Sequence, residues 1–447
     1  MNYFAITSLW SLREFNWHKV LLIIILIFPL TIHALEKMSL KGAIDLAIKN
    51  SYDIKIAKNY SEIGKINNTL GIAGALPYVN ASASDNSSIN NIDLQQSNGN
   101  NISSKNVNGN TLNAGLNAGI VLFNGFKIQA TKEKLNSLQK QGDLQLNLQI
   151  QNTIASVMIK YYDIFRQESY LKIIQSSHDV SKKKLDIITD RKNVGMANEA
   201  DLLQAQIDVN IAEQNIYSQQ LVIEQDKTDL LKILSVKNFF PFEISDTIAI
   251  DKSIKMDSII NYLNQNPQYL SYEQQIKINE QVVREVASQR YPSVKLNTSY
   301  IYNRVKSDAG LTLLNQSYGP ALGLSLQIPI YYGNTFKIQQ QSATYNLNNS
   351  KLQKESLLNS LTSDAMKIYQ SYSTTLQQLI SQQKNYDLSS KLVNIVLDRF
   401  KLNQATILDL KAAQDSFEKS ANLLVNLQFA AKASEIELKR LVYKLEF

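Results

Sequence analysis

His178 is the one histidine of this chain that lies away from its N-terminus; the other two are His18 and His33, and there is no cysteine. A histidine beside a carboxylate, here Asp179, is the minimum for general-base chemistry. The surrounding residues read as a long helix, so His178 is expected as a helical surface residue and not as a catalytic base. No nucleophile elbow, Walker A loop or HExxH pattern occurs. "GIAGAL" (71–76) carries glycines but fails the dinucleotide pattern and reads as a helix end before Pro77. A transition-metal site would need histidine or cysteine ligands that the chain lacks. No catalytic residue, cofactor or resident metal is expected, and the chain does not read as an enzyme.

Composition narrows the class. Of 447 residues 44% are hydrophobic and only 19% charged, so Asn, Gln and Ser supply the remaining polarity. The formal net charge is +7, and +6 without residues 1–34, which carry Arg13, Lys19 and Glu14. No dense basic run with interleaved aromatics exists, so nucleic acid is not an expected partner. Arg13, His18 and Lys19 precede an apolar run from Val20 to Leu30. Eleven residues make a helix of about 16 Å, too short for a hydrocarbon core of about 30 Å. With Ala34 offering a small residue for cleavage, residues 1–34 read as a secretory signal peptide.

The elements behind these residues come in duplicate. "LKGAIDLAIKN" (40–50) resembles "MDSIINYLNQN" (256–266), "LPYVN" (76–80) resembles "YPSVK" (291–295), and "DLLQAQ" (201–206) resembles "DLKAAQ" (409–414). The word "FKIQ" recurs 210 residues apart. Two repeats are therefore expected, 35–235 and 256–447, around a linker at 236–255. Proline is missing between Pro77 and Pro241 and after Pro329; Gly195 is the one glycine from Asp143 to Ala309. Proline and glycine cost about 3 and 1 kcal/mol inside a helix. Long helices are thus predicted at about 127–191, 197–235, 336–401 and 405–443. The shorter ones carry a 3.5-residue seam: Leu202, Ala205, Val209, Ala212, Ile216, Gln219, Ile223 in one, Leu410, Ala413, Phe417, Ser420, Leu424, Leu427, Ala431 in the other. Such a seam specifies supercoiled packing.

Ahead of each long helix the period changes to two. Leu112, Ala114, Leu116, Ala118, Ile120 and Leu122 alternate with small or polar residues, as do Leu322, Leu324, Leu326, Ile328 and Ile330. Strands are predicted at about 78–92 with 108–123 and about 293–305 with 317–330, joined by polar, solvent-exposed tips. Strands of this length with one apolar face suit a bilayer barrel. Tyr78, Phe123, Phe126, Tyr291, Tyr331, Tyr332 and Phe336 flank the strand-to-helix joints and are expected to form an interfacial aromatic belt. Four strands cannot close a barrel, and an open edge is not tolerated in lipid. The chain must associate with copies of itself, eight strands for a dimer and twelve for a trimer. The polar face, with Asn113, Asn117, Ser325 and Gln327, would line a water-filled lumen. A coiled-coil scaffold or adhesin with minor β appendages is the competing reading.

This ordered set, over about 39–443, resembles the TolC-like outer-membrane efflux family. "RKNVGMANEADLLQAQ" (191–206) is similar to that family's helix-turn-helix tip, with "RFKLNQATILDLKAAQ" (399–414) as its counterpart and Asn403 in the glycine place. The resemblance implies an α+β membrane protein: a homotrimer with a twelve-stranded outer-membrane barrel continued by a periplasmic helical tunnel. It implies a passive exit duct for efflux or type I secretion, working with a periplasmic adaptor and a proton- or ATP-driven inner-membrane pump. It implies a carboxylate ring at the periplasmic mouth, with Asp409 in the first place and Ala412 in the second, so that one ring is expected; Asp201 is the first-half candidate. Both acids equally suit the first turn of a helix, where the dipole favours them. Arg191, Val194, Gly195, Met196, Arg399, Leu402 and Asn403 are the implied adaptor-contact tips.

Overall fold

A computed structural model describes residues 36–445; the predicted signal peptide lies outside the described residues. In chain order it contains β1 (Glu36–Met38), α1 (Leu40–Asn50), α2 (Tyr52–Asn67), β2 (Tyr78–Gln95), β3 (Asn101–Asn124), α3 (Lys127–Asn193) and α4 (Glu199–Ile233). The second half has β4 (Phe242–Ile244), α5 (Met256–Tyr262), α6 (Pro267–Ala287), β5 (Ser293–Ser307), β6 (Leu314–Gln327), α7 (Thr335–Lys401) and α8 (Ile407–Leu441).

α3 and α7 have 67 residues each, and α4 and α8 have 35 each. At 1.5 Å per residue the long pair are rods of about 100 Å. Their first residues, Lys127 and Thr335, and their last, Asn193 and Lys401, both stand 208 apart. The matching "FKIQ" words, at 210, are therefore out of structural register by two residues: Phe126 corresponds to Asn334, not to Phe336.

Near the tips the helices pack side by side in the order α4, α3, α8, α7; nearer the strands α2 and α6 take the places of α4 and α8. The predicted seam is where burial falls. Ala205, Val209 and Ile223 are buried on α4, and Leu410, Ala413, Phe417, Leu424 and Ala431 on α8. Polar ties cross from α3 to α8. Gln414 donates to the Ser177 carbonyl (3.0 Å) and to Ser181 Oγ (3.0 Å), Arg166 to Asn426 (3.2 Å), and Arg440 to Asn152 (3.0 Å).

The segment expected as the linker is strapped to this wall at mid-height. β4 pairs in parallel with β1. Tyr161 donates to the Met38 carbonyl (2.8 Å) and to Asp246 (2.7 Å). Lys432 donates to the Ala249 carbonyl (2.7 Å), the Asp251 N–H donates to Glu435 (2.9 Å), and Lys439 bridges Asp251 and Glu435 at 3.0 Å each. Hydrogen bonds from the Ser253 hydroxyl and N–H, then Lys439, hold Asp251 well below the usual carboxylate range. Burial pushes Tyr372, whose hydroxyl donates to the Asp251 carbonyl, up to about 12.

The four long strands form one antiparallel sheet in the order β2-β3-β5-β6, so β2 and β6 are its edges. Two strand boundaries differ from expectation. The Asn- and Ser-rich tip predicted as loop continues the β2–β3 ladder out to Gln95 and Asn101. Cross-strand polar pairs hold it: the Ser103 hydroxyl donates to Asp93, and the Asn106 N–H donates to Asn91 Oδ1 (2.9 Å). β6 stops at Gln327, opposite Ser293, where its partner strand β5 begins after Pro292.

Candidate functional site

Directly opposed residues of an antiparallel ladder share a face, so register sorts this sheet into two surfaces. One carries Val79, Ala81 and Ala83 of β2; Ala114, Leu116, Ala118 and Ile120 of β3; Leu296, Tyr300 and Tyr302 of β5; and Tyr318, Leu322, Leu324 and Leu326 of β6. Leu122 is the extra residue of a bulge, after which Phe123 and Val294 rejoin the apolar face. From Val294 to Tyr302 is about 26 Å along the strand at 3.3 Å per residue, the right scale for a barrel's apolar band of about 25 Å once tilt is allowed for. One row higher the same face turns polar at Asp85, Arg304 and Gln316. The other face carries Asn80, Ser82, Ser84, Asn113, Asn117, Asn297, Ser299, Asn303, Ser317 and Ser325, separated by glycines.

At the lower end of the apolar band stand the joints. Gly125 and Phe126 both have positive φ (66° each), as do Gly333 (57°) and Asn334 (61°), and each pair reverses the chain into its long helix. The Phe123 and Phe126 rings meet edge to face at 5.4 Å, and Tyr332 and Phe336 are 5.0 Å apart. Ile330 and Tyr331 are 94% and 78% exposed beside them. Tyr291 packs over Gly125. Tyr78 pairs with Gly119, and its ring covers that glycine on the polar face, so register puts it on the face opposite Phe123. Three tyrosines that sequence reading passed over, Tyr300, Tyr302 and Tyr318, close the upper end of the apolar band. The signal was present: Tyr300 and Tyr302 are two residues apart in a strand.

At the far end of the rods the two turns share one geometry. The Met196 and Gly195 N–H groups donate to the Arg191 and Lys192 carbonyls (2.7 and 3.0 Å); those of Gln404 and Asn403 donate to Arg399 and Phe400 (2.8 and 3.1 Å). Both are Schellman motifs, which need a left-handed residue: Gly195 (φ 76°) and Asn403 (φ 62°) supply it. Val194, Met196 and Leu402 are exposed, as is Leu408, which sequence reading missed. Arg191 has an internal role. Its guanidinium lies 4.5 Å over the Phe400 ring and donates to the Phe400 carbonyl, tying the first turn to the second. Arg399 donates to the Gln404 carbonyl (3.2 Å) within its own turn.

Asp409 is exposed at the start of α8 and belongs to a capping box. Its carboxylate accepts from the Thr406 N–H (2.9 Å) and hydroxyl (2.8 Å), while its own N–H donates to Thr406 Oγ1 (3.1 Å). Those bonds, the backbone one foremost, with Arg399 nearby, hold it below the usual carboxylate range, so it is ionised at neutral pH. Asp201 donates its N–H to the Asn198 cap (2.8 Å). His178 is buried between α3 and α4, 3.5 Å from Glu213, and not on the surface as expected.

A wall of long helices topped by a sheet with one lipid-type face defines an outer-membrane β-and-helix architecture. The comparisons agree. The family described as Outer membrane efflux protein matches residues 43–235 and 259–442, and the chain belongs to it. Outer membrane protein TolC of Escherichia coli (strain K12) is 21% identical over 326 residues, 69% of this chain and 64% of that protein's length. Among solved structures the Campylobacter jejuni CmeC outer membrane channel has a TM-score of 0.76 at 18% identity, covering 91% of this chain and 87% of that one. VceC of Vibrio cholerae has 0.71 at 16%, covering 90% and 95%. The open state of the Neisseria gonorrhoeae MtrE outer membrane channel also has 0.71 at 16%, covering 90% and 88%. The chain is an outer-membrane protein whose helical body stands in the periplasm.

Proposed function

We propose that three copies of this chain close into a twelve-stranded barrel and a helical tunnel that serves as the passive exit duct of an efflux or type I secretion system. One observation carries the reading: each side of the chain ends in a free edge, an unpaired strand in the sheet and an exposed apolar stripe on the helices. The sheet ends in the unpaired strands β2 and β6. Beside β2, the α2 surface exposes Tyr52, Ile56, Tyr60, Ile63 and Ile66, and α4 exposes Leu203, Ile207, Ile211 and Leu221. On the other side α7 exposes Ile338, Tyr345, Leu352, Met366 and Ile380, in steps that are multiples of seven. A strand edge and a heptad stripe are both halves of an interface. Joining the β2 side of one copy to the β6 side of the next satisfies both without new geometry. Eight strands would fill with side chains, whereas twelve leave room for water inside. A scaffold without a channel would have no use for the apolar sheet face.

The two structural repeats supply a six-fold pseudosymmetry to that ring. The exposed apolar tips, Val194, Met196, Leu402 and Leu408, are the surface on which a periplasmic adaptor would dock, and the adaptor would link the duct to a pump that supplies the energy. Opening means that the α7–α8 hairpin swings away from the α3–α4 hairpin, which breaks the Arg191–Phe400 tie. Before opening, the Asp409 carboxylates form the narrow charged ring.

Single-channel recording in planar bilayers tests this. The account expects a small conductance that Asp409→Asn enlarges or frees from block by divalent cations. Thr406→Ala, which removes the cap but keeps the charge, should leave that block intact. Equal effects from both substitutions would reduce Asp409 to a helix cap, and a chain that forms no pore would sink the duct.

A further inference from the structure

The sheet's polar face is almost free of charge. From Tyr78 to Ser88 on β2, Gly109 to Val121 on β3, Lys295 to Ser307 on β5 and Asn315 to Gln327 on β6, the residues on this face are amides, hydroxyls, glycines and a few apolar side chains. The exception is Lys295, which pairs with Val121 on one side and Ser325 on the other. It is exposed, no carboxylate shares its face, and among the described residues none stands within ion-pair distance of its ammonium. The strand's other cations, Arg304 and Lys306, sit on the opposite face above the apolar band. One row up, the Tyr78 ring covers Gly119 on one side, while Gly323 on the other adds no side chain beside the ammonium.

We propose that Lys295 is a specificity-determining residue: it makes the lower barrel lumen favour anionic solutes over cationic ones. The inference rests on the ring-closed duct proposed above, which repeats the lysine three times at one height. Its sign opposes that of the Asp409 mouth, so the duct carries a negative ring at the helical tips and a positive one where barrel meets tunnel. Three unit charges at about 8 Å in water, one Debye length at 0.15 M, bias local ion concentrations by about two- to threefold. The bias grows as salt falls to 0.01 M, where the screening length is about 30 Å, and disappears at 1 M, where it is about 3 Å. Neutral substrates would pass indifferently.

The chain has no cysteine, so Lys295→Cys introduces its sole thiol and the sign can be switched in one folded channel. Reversal potentials are measured in planar bilayers across a KCl gradient centred near 0.1 M, before and after addition of a cationic or an anionic methanethiosulfonate. The cationic adduct should restore the wild-type anion-to-cation permeability ratio, and the anionic adduct should lower it by about two- to threefold or more, with both differences lost at 1 M. Pores of ordinary conductance whose reversal potential ignores the adduct's charge overturn this inference alone. A wild-type chain that opens no pore overturns the duct reading and this inference with it.

Discussion

The two strand-to-helix joints have the same backbone and different surroundings. At the first, an added Cβ on Gly125 would come within 2.6 Å of the Ser288 carbonyl and of Tyr291 Cβ, because the α6–β5 connection packs directly on it. At the second, Gly333 has nothing within 4 Å. Both are left-handed, so both carry the backbone preference for glycine. Only the first carries the steric one. The difference is position: Gly125 lies between β3 and β5 in the middle of the sheet, and Gly333 follows the edge strand β6. In a closed ring the neighbour's Leu76, which precedes Pro77 as Tyr291 precedes Pro292, would stand where Tyr291 stands for Gly125. A free joint that copies a packed one is half of a contact.

Substitutions sharpen that contrast, and the largest effect belongs to Gly125→Ala. Clash and backbone strain together should abolish insertion, read as loss of the protein from outer-membrane fractions. Gly333→Ala separates two cases. In an isolated chain it would cost only the left-handed backbone penalty, about 1 kcal/mol, whereas in a ring it meets the neighbour and should weaken assembly, seen as dissociation at lower detergent or heat load. If Gly333→Ala assembles as well as wild type, the comparison between the joints fails.

Arg191→Ala comes next. The tie to Phe400 joins the two hairpins at the tip while the α3–α8 hydrogen bonds above it remain. The variant should fold and assemble normally but show longer or larger openings in single-channel records. Unchanged gating would leave Arg191 as a turn residue.

The smallest effect concerns pH. The folded-state value of Asp251 is depressed, so its contribution to stability is present above the ordinary carboxylate value of about 3.9 and is lost as pH falls through the folded value. The strap between the linker and α8 should therefore loosen only below about pH 4. Thermal melts of wild type and Asp251→Asn should converge in that range and differ most at neutral pH, where the variant melts lower. A constant difference across pH would remove Asp251 from the strap's energetics.

Much of the fold was written in breakers and periods. The long helices begin and end within two residues of where proline- and glycine-free runs placed them, and the buried seams fall at the 3.5-residue positions. Asn403 takes the left-handed turn its chemistry allows. What escaped the sequence had weak local signals. The β2–β3 extension carries only a short apolar alternation, Ile92 and Leu94 with Ile102 opposite, inside an Asn- and Ser-rich run that reads as loop. The strap of Asp246, Ala249 and Asp251 on Tyr161, Lys432 and Glu435 joins residues from 85 to 184 apart in the chain, a pairing that only the packed helices create. Tyr78 reads as one of a set of aromatics, but strand parity puts it over Gly119 on the polar face. The repeated "FKIQ" misled by two residues because a word match ignores where the left-handed pair falls.

Ring closure by identical copies is the claim on which the lumen, the mouth and the charge of the duct depend. Native mass spectrometry of the detergent-purified, outer-membrane-extracted protein measures it directly. The account predicts one species of three chains that breaks down to single chains only on heating or denaturation. A stable single chain that stays in solution without detergent would contradict it.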